Sequence, residues 1–259
     1  MKKIFAMAAI ALFMVSCSDD DSNSTQTNVK LTKVIETDME GTLTSTLIYN
    51  GNKLVQINSS DGTKNIITYT GDLITEETFT GPSNEIIWKY IYQYNSQNQL
   101  VTYYELDYED SYNTKTTYVH NSNGSISFTE YDSEDFDLNS FTEKSAEGTI
   151  TDDTYINKMF SPNGTVTYID TYSYTYDGKN YPLKGITGYD KIGFAGTDGG
   201  KKHGIQNVIS QSYTPQGSTQ AVVETTTTYT YNGDNFPLTQ VETSVGNPQS
   251  NTTTQYIYE

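Results

Sequence analysis

The sequence predicts an all-β fold: one antiparallel meander of repeated β-hairpins, strongly twisted and curled into a half-barrel or partly closed barrel. Three observations carry this. From Val29 onward short runs alternate polar and apolar residues, the period of a strand with one covered face. Turn dipeptides punctuate those runs at short, regular spacing, and the composition, with 23 Tyr, 9 Phe and abundant Thr and Ile, is that of strands. No convincing amphipathic helix interrupts the pattern.

The reversals are Asn50-Gly51, Asp61-Gly62, Thr70-Gly71-Asp72, Asn123-Gly124, Asn163-Gly164, Asp177-Gly178 and Asn232-Gly233. Asn-Gly and Asp-Gly accept the positive backbone angles of a tight hairpin turn. Between them Thr46–Tyr49, Ile66–Tyr69, Trp88–Tyr94, Thr116–Val119, Tyr172–Tyr176 and Thr225–Tyr231 read as strands. Trp88, Tyr90, Tyr92 and Tyr94 share one face and Ile87, Lys89, Ile91 and Gln93 the other; the aromatic row is the predicted buried one. Pro182 and Pro237 cannot donate to a ladder, which puts them at the starts of return strands or at bulges. The alternating end, Thr252 to Glu259, predicts a paired terminal strand whose loss should destabilise the fold. About a dozen strands in one sheet must curl, split or close.

The chain also repeats itself. Tyr174-Thr175-Tyr176-Asp177-Gly178-Lys179-Asn180-Tyr181-Pro182-Leu183 recurs as Tyr229-Thr230-Tyr231-Asn232-Gly233-Asp234-Asn235-Phe236-Pro237-Leu238. Looser copies begin at Tyr49, Tyr69 and Tyr94. In each, tyrosine ends a strand, a polar turn follows and leucine starts the return.

The first segment is an address. Lys2 and Lys3 precede an apolar stretch, Ile4 to Val15, too short to span a bilayer, as in a secretory signal. It ends Ser16-Cys17 and resembles a bacterial lipoprotein signal, which implies that Cys17 is acylated and becomes the first mature residue. Cys17 is the single cysteine, so a mature domain has no disulfide, cysteine metal cluster or thiol nucleophile to call on. Ser18-Asp19-Asp20-Asp21 resembles the export signal of Bacteroidota surface lipoproteins, and the polar run to Asn28 reads as a flexible tether. The expected organisation is therefore a leader over 1–17, a tether over 18–28 and a single all-β domain over 29–259. The tyrosine-turn-leucine copies are similar to the tyrosine-aspartate repeats of the RHS family, in the short form found in Bacteroidota lipoproteins. That resemblance implies a lipid-anchored outer-membrane protein facing the cell exterior, and no particular activity.

Charge narrows the partners. The formal charge is -17, with 15 basic residues, none of them arginine, against 32 acidic ones. Removing the leader leaves 13 lysines, a net -19. A phosphate backbone is gripped by clustered lysine and arginine, so nucleic acid is excluded as a partner. Expected partners are the membrane, through the anchor, and a glycan or an envelope or extracellular protein; the chain is expected to be a monomer.

Catalytic patterns are sparse. Gly193 to Gly204 is the one glycine-rich insertion, but Ala195 and Lys202 occupy positions where a phosphate-binding loop needs Gly and Ser or Thr. It reads as a long mobile hairpin loop, with Lys201, Lys202 and His203 as candidate ligand contacts. His120 and His203 stand alone and read as exposed, so no metal site and no cofactor are expected. No Gly-x-Ser-x-Gly elbow occurs. Carboxylates cluster at Glu105, Asp107, Glu109, Asp110 and at Asp132, Glu134, Asp135, Asp137, mostly as solvated strand ends and loops, with calcium binding as a secondary reading although neither run has EF-hand spacing. Dense aromatics at Trp88, Tyr90, Tyr92, Tyr94, Tyr103, Tyr104 and Tyr108 suit a core first and sugar or protein recognition second. The expected function is a non-enzymatic binding or structural scaffold at the outer membrane surface. The alternatives are an extracellular glycan hydrolase using those carboxylates, or a periplasm-facing lipid carrier or assembly lipoprotein.

Overall fold

The computed structural model describes residues 29–196, 199–247 and 251–259. Cys17, Ser18, Asp19, Asp20 and Asp21 lie outside them. Sixteen strands form one closed barrel in which each strand pairs antiparallel with its sequence neighbours and the first pairs with the last. They are β1 (Leu31–Thr37), β2 (Thr42–Asn50), β3 (Lys53–Ser59), β4 (Lys64–Thr70), β5 (Leu73–Thr80), β6 (Ile86–Tyr94), β7 (Leu100–Asp107) and β8 (Asn113–His120). The second half comprises β9 (Ile126–Ser133), β10 (Glu143–Ile150), β11 (Thr154–Phe160), β12 (Val166–Tyr176), β13 (Val208–Thr214), β14 (Val222–Tyr231), β15 (Pro237–Ser244) and β16 (Thr252–Tyr258). Full closure removes both sheet edges, which otherwise expose unpaired N–H and C=O groups. The expected strands all form, and more besides, because Thr- and Ser-rich runs such as Val208–Thr214 also pair.

The repeat has a geometric explanation. Tyr49, Tyr69, Tyr94, Tyr176 and Tyr231 face the first or second residues of the following strands, Leu54, Ile74, Leu100, Val208 and Pro237. The register then slips by one residue, a β-bulge that bends the strand and increases its twist. The closing seam copies the same step: Tyr258 faces Leu31, with a slip before Lys33. The chain's two ends therefore meet as though joined by one more hairpin.

The tyrosine hydroxyls complete the ladder at this rim. Pairing between β3 and β4 covers only Gln56 to Asn58, so the carbonyl of Leu54 lies beyond it, and Tyr69 donates its hydroxyl to that oxygen at 3.1 Å. Tyr49 does the same for Leu31 (2.7 Å), Tyr94 for Ile74 (2.7 Å) and Tyr229 for Val208 (3.1 Å). In β8 the Nε2 of His120 sits 2.8 Å from the Leu100 carbonyl oxygen. A buried carbonyl needs a donor, and an aromatic arm supplies one while filling space. Burial pushes the Tyr49 and Tyr69 phenols up to about 12, so both remain donors at ordinary pH.

The core is the lumen. Leu47, Leu54, Ile67, Ile74, Tyr92 and Phe128 are buried in one cluster with Ile192 and Phe194 from the β12–β13 connection. Period-2 alternation sends the intervening residues outward. Tyr92 is 6% exposed and Trp88 37%, so the aromatic row of β6 does face inward but emerges from cover at its far end. A smaller cluster of Tyr104, Leu106 and Phe141 packs on the outside with Ile91.

Candidate functional site

The β12–β13 connection departs from expectation. Asp177-Gly178 starts no tight hairpin; instead 30 or so residues fold over and into the barrel before Val208 takes the place opposite Tyr176 that Leu183 was expected to fill. Pro182 accordingly lies in this connection, whereas Pro237 starts β15 as expected. The connection carries one helical turn, α1 (Tyr189–Ile192), and a 3-10 turn at His203–Ile205. Leu183, Ile186 and Tyr189 pack against the lumen core that contains Ile192 and Phe194. The ring of Phe194 meets Tyr118 edge-on at 5.2 Å. This segment is a plug, not the expected mobile hairpin loop.

Its attachment explains its composition. Thr187 N–H donates to the Asn52 carbonyl (3.0 Å), Asn180 N–H to that of Asn235 (3.2 Å) and Lys201 N–H to that of Thr151 (2.7 Å), three hairpins around one rim. Asn207, 2% exposed, gives its amide to the Asn180 carbonyl at 2.9 Å and fastens the two ends of the plug together. The glycines allow close backbone approach: Gly204 N–H donates to the Gly193 carbonyl at 2.9 Å, and a Cβ on Gly204 would meet that oxygen at 2.2 Å.

The three candidate contacts of the glycine-rich segment lie at this attachment. Lys201 reaches the Gly124 carbonyl with Nζ at 3.2 Å, and Lys202 pairs with Asp152 at 3.1 Å. His203 packs edge-on against Tyr174 with ring centroids 5.0 Å apart and borders one of the cavities described below. Neither histidine is exposed as expected: both are partly buried, each against an aromatic ring.

Three of the cavities lie between the plug and the barrel wall. One of about 370 Å³ lies toward β13–β16 and mixes apolar residues such as Val34, Leu183 and Val208 with Gln211, Thr227, Gln240 and Glu242. A second, about 230 Å³, lies against β7–β11 and combines Tyr103, Tyr118 and Phe128 with Glu105 and Glu130. The third, about 290 Å³, lies against β3–β6 among Ile57, Ile67 and Ile74, with Asn65 and Glu77 as its polar groups.

The carboxylate clusters separate by orientation. Glu105 and Asp107 reach the second cavity, and Glu130, which the sequence clusters omitted, joins them from β9. Desolvation, reinforced by the charge of Asp107, raises Glu105 above the usual carboxylate range even though Tyr103 donates to it. Asp107 is held low by the backbone N–H groups of Asp110 and Glu109, which it caps in the turn. Asp132 accepts from Tyr112 (2.7 Å) and Ser145 (2.8 Å). Asp135 and Asp137 belong to the β9–β10 connection, where Asp137 caps its own turn. Among the described residues no three His, Cys, Asp or Glu side chains gather as a metal site.

Glu77, Glu105, Glu130 and Glu242 border the three cavities, whose walls carry no lysine, while the outer wall carries both signs, with Lys89 paired to Glu76 (3.2 Å) and Lys158 to Glu147 (2.9 Å). The fold and site together define a class: a closed, plugged meander barrel with an aromatic, acidic lumen.

No protein-family model matches the chain, and no curated protein matches it. Among solved structures the chain is similar to a porin-like protein from Bacteroides uniformis ATCC 8492. The two are 14% identical with a TM-score of 0.50, and the match covers 88% of this chain and 98% of that one. At that identity the likeness is one of fold.

Proposed function

We propose that this chain is a lipid-tethered, non-enzymatic barrel of the cell envelope, displayed at the outer membrane surface as a binding scaffold. The polarity of the wall carries the reading. A membrane-spanning barrel presents an apolar outer band about 25 Å tall, and a lysine at its mid-plane costs roughly 2–4 kcal/mol. Here the outer wall bears the Glu76–Lys89 pair and Glu147 flanked by Lys144 and Lys158, and its exposed apolar residues, such as Ile48, Ile66, Ile156 and Val241, pair with Gln or Thr on neighbouring strands, while the main apolar and aromatic core packs inward around a plug. Such a wall belongs in water. Membrane attachment then falls to Cys17, in keeping with the lipoprotein-like leader, and Asp19, Asp20 and Asp21 would direct the chain outward. The porin-like neighbour, from a Bacteroides, is consistent with an envelope protein.

Labelling cells with a clickable fatty acid tests the anchor: the wild-type chain should carry label and Cys17→Ala none. Protease treatment of intact cells should cleave the wild type and spare a variant with Asp19, Asp20 and Asp21 changed to Ala. Label retained by Cys17→Ala, or protection of both chains, would defeat the anchor or the surface assignment respectively.

One observation favours a second reading, glycan hydrolysis: Glu105, with its raised carboxyl, shares an aromatic cavity with Glu130. A hydrolase needs a protonated acid beside an ionised partner. Unchanged turnover of glycan substrates in Glu105→Gln and Glu130→Gln would dispose of it. The lipid-carrier alternative fits less well, since the plug leaves compartments sized for small molecules.

A further inference from the structure

The third cavity holds an electrostatic demand that the protein does not meet. Its walls are aliphatic and aromatic, contributed by Ile57, Ile67, Ile74 and Tyr92 of the barrel and by Tyr189 and Ile192 of the plug. Glu77 reaches this apolar space from β5. Its Oε2 accepts from Asn65 Nδ2 at 2.6 Å and its Oε1 from the Tyr92 hydroxyl at 2.9 Å. Neither donor carries charge, and none of the ion pairs of the described residues involves Glu77.

Asn65 sharpens the demand. It is 7% exposed, and with its Nδ2 committed to Glu77 its Oδ1 is buried without a donor. Reversing the amide would only exchange this for a carbonyl oxygen set against a carboxylate. A buried acceptor with no donor is rare in folded proteins and calls for an explanation, such as a group that arrives from outside. The cavity therefore offers two kinds of acceptor, one anionic and one neutral.

We propose that this cavity binds a small primary alkylamine in its ammonium form, with the head group between Glu77 and Asn65 Oδ1 and the alkyl tail along Ile57, Ile67 and Ile74. An ammonium has three N–H donors and no acceptor, which matches the unmet groups. Its charge compensates Glu77, whose carboxyl desolvation otherwise raises. A volume of about 290 Å³ admits on the order of ten heavy atoms at liquid-like packing, enough for a short chain and too few for a lipid. An alcohol would satisfy Asn65 but leave Glu77 without a counter-charge, and a carboxylate would be repelled. The assignment concerns the barrel alone, so it stands or falls independently of Cys17.

The test is calorimetric titration of residues 29–259, which contain both strands of the closing seam, with hexylamine, 1-hexanol and hexanoate at pH 7. Hexylamine should bind saturably with one site per chain, 1-hexanol at least tenfold more weakly, and hexanoate without measurable heat. Glu77→Gln should lose at least tenfold in hexylamine affinity. Ile67→Phe, which narrows the cavity without touching the polar groups, should weaken both hexylamine and hexanol. Circular dichroism establishes that each variant is folded, and should Glu77→Gln fail to fold, the Ile67→Phe result and the hexylamine-to-hexanol ratio decide the matter. Equal affinity for hexylamine and hexanol, unchanged binding in Glu77→Gln or Ile67→Phe, or no saturable hexylamine binding up to millimolar concentration would each overturn the assignment.

Discussion

Gly148 in β10 offers a sharp test of how the lumen is packed. It faces Asn157 across the β10–β11 ladder and Phe128 across the β9–β10 ladder. A Cβ placed there would lie 1.9 Å from the Ile156 carbonyl oxygen and 2.5–2.6 Å from two carbons of the Phe128 ring. The oxygen is backbone, so relieving the first contact means separating β10 from β11. Relieving the second means displacing a ring that is 5% exposed and stacked on Tyr155 at 5.3 Å. Overpacking of this kind costs typically 1–3 kcal/mol, and two simultaneous contacts put Gly148→Ala near the top of that range, about 3 kcal/mol. At roughly 2–4 °C per kcal/mol for a domain of this size, the melting temperature should fall by ~6–12 °C. Thermal unfolding followed by circular dichroism reads this directly. Phe128→Ala should itself cost about 3–5 kcal/mol, and the double variant should cost less than the sum, because one contact disappears with the ring. A Gly148→Ala melting temperature within about 1 °C of wild type would refute the packing argument.

Two further predictions concern the hydroxyl ladder and pH. Tyr94→Phe leaves the Ile74 carbonyl without its side-chain donor and should cost about 1–3 kcal/mol in urea unfolding; a variant as stable as wild type would mean that this hydroxyl is not closing the rim. Glu105 is raised by burial, so the folded state holds its proton more tightly than the unfolded state, and its ionisation destabilises the fold as pH climbs above the ordinary value of 4.5. Glu105→Gln should therefore raise the melting temperature at pH 7, with the gain shrinking as pH falls toward 4. A gain that is absent at pH 7, or larger in acid, would contradict the desolvated placement of that carboxyl.

Local signals were legible in the sequence and non-local ones were not. The terminal tyrosines and the polar turns after them marked hairpins correctly at Tyr49, Tyr69, Tyr94 and Tyr231, because each hairpin is set by residues within a few positions of one another. The inward aromatic face of β6 followed from alternation alone. Glu77 escaped notice because of a bulge: counting by twos from Ile74 puts Glu76 inside, but the register slip beyond Tyr69 and Ile74 turns Glu77 inward instead. Glu105 was noticed as one acid in a run, yet only the fold separates it from Asp110, a few residues away in a turn.

The plug was harder still. Asp177-Gly178 and Asn232-Gly233 carry nearly the same letters, and what distinguishes them is that Leu183 and Tyr189 find a lumen to fill, a fact of closure that no local window contains. Closure itself depends on Leu31 meeting Tyr258 across the whole chain, and the sequence reading left a half-barrel or a partly closed barrel open for that reason. Lys201, Lys202 and His203 stood out as the rare basic group of an acidic chain. In the structure the two lysines are engaged at the rim by Gly124 and Asp152, which leaves His203 bordering a cavity.

The central claim is that the barrel wall belongs in water and its apolar side faces inward. The most direct measurement is sedimentation of residues 29–259 in buffer without detergent, before and after addition of liposomes. The account predicts a folded, β-rich monomer that remains in solution and does not float with the vesicles. A chain that stays dispersed only in detergent micelles, or that inserts into liposomes and becomes protected from protease, would contradict it and make the wall a membrane surface after all.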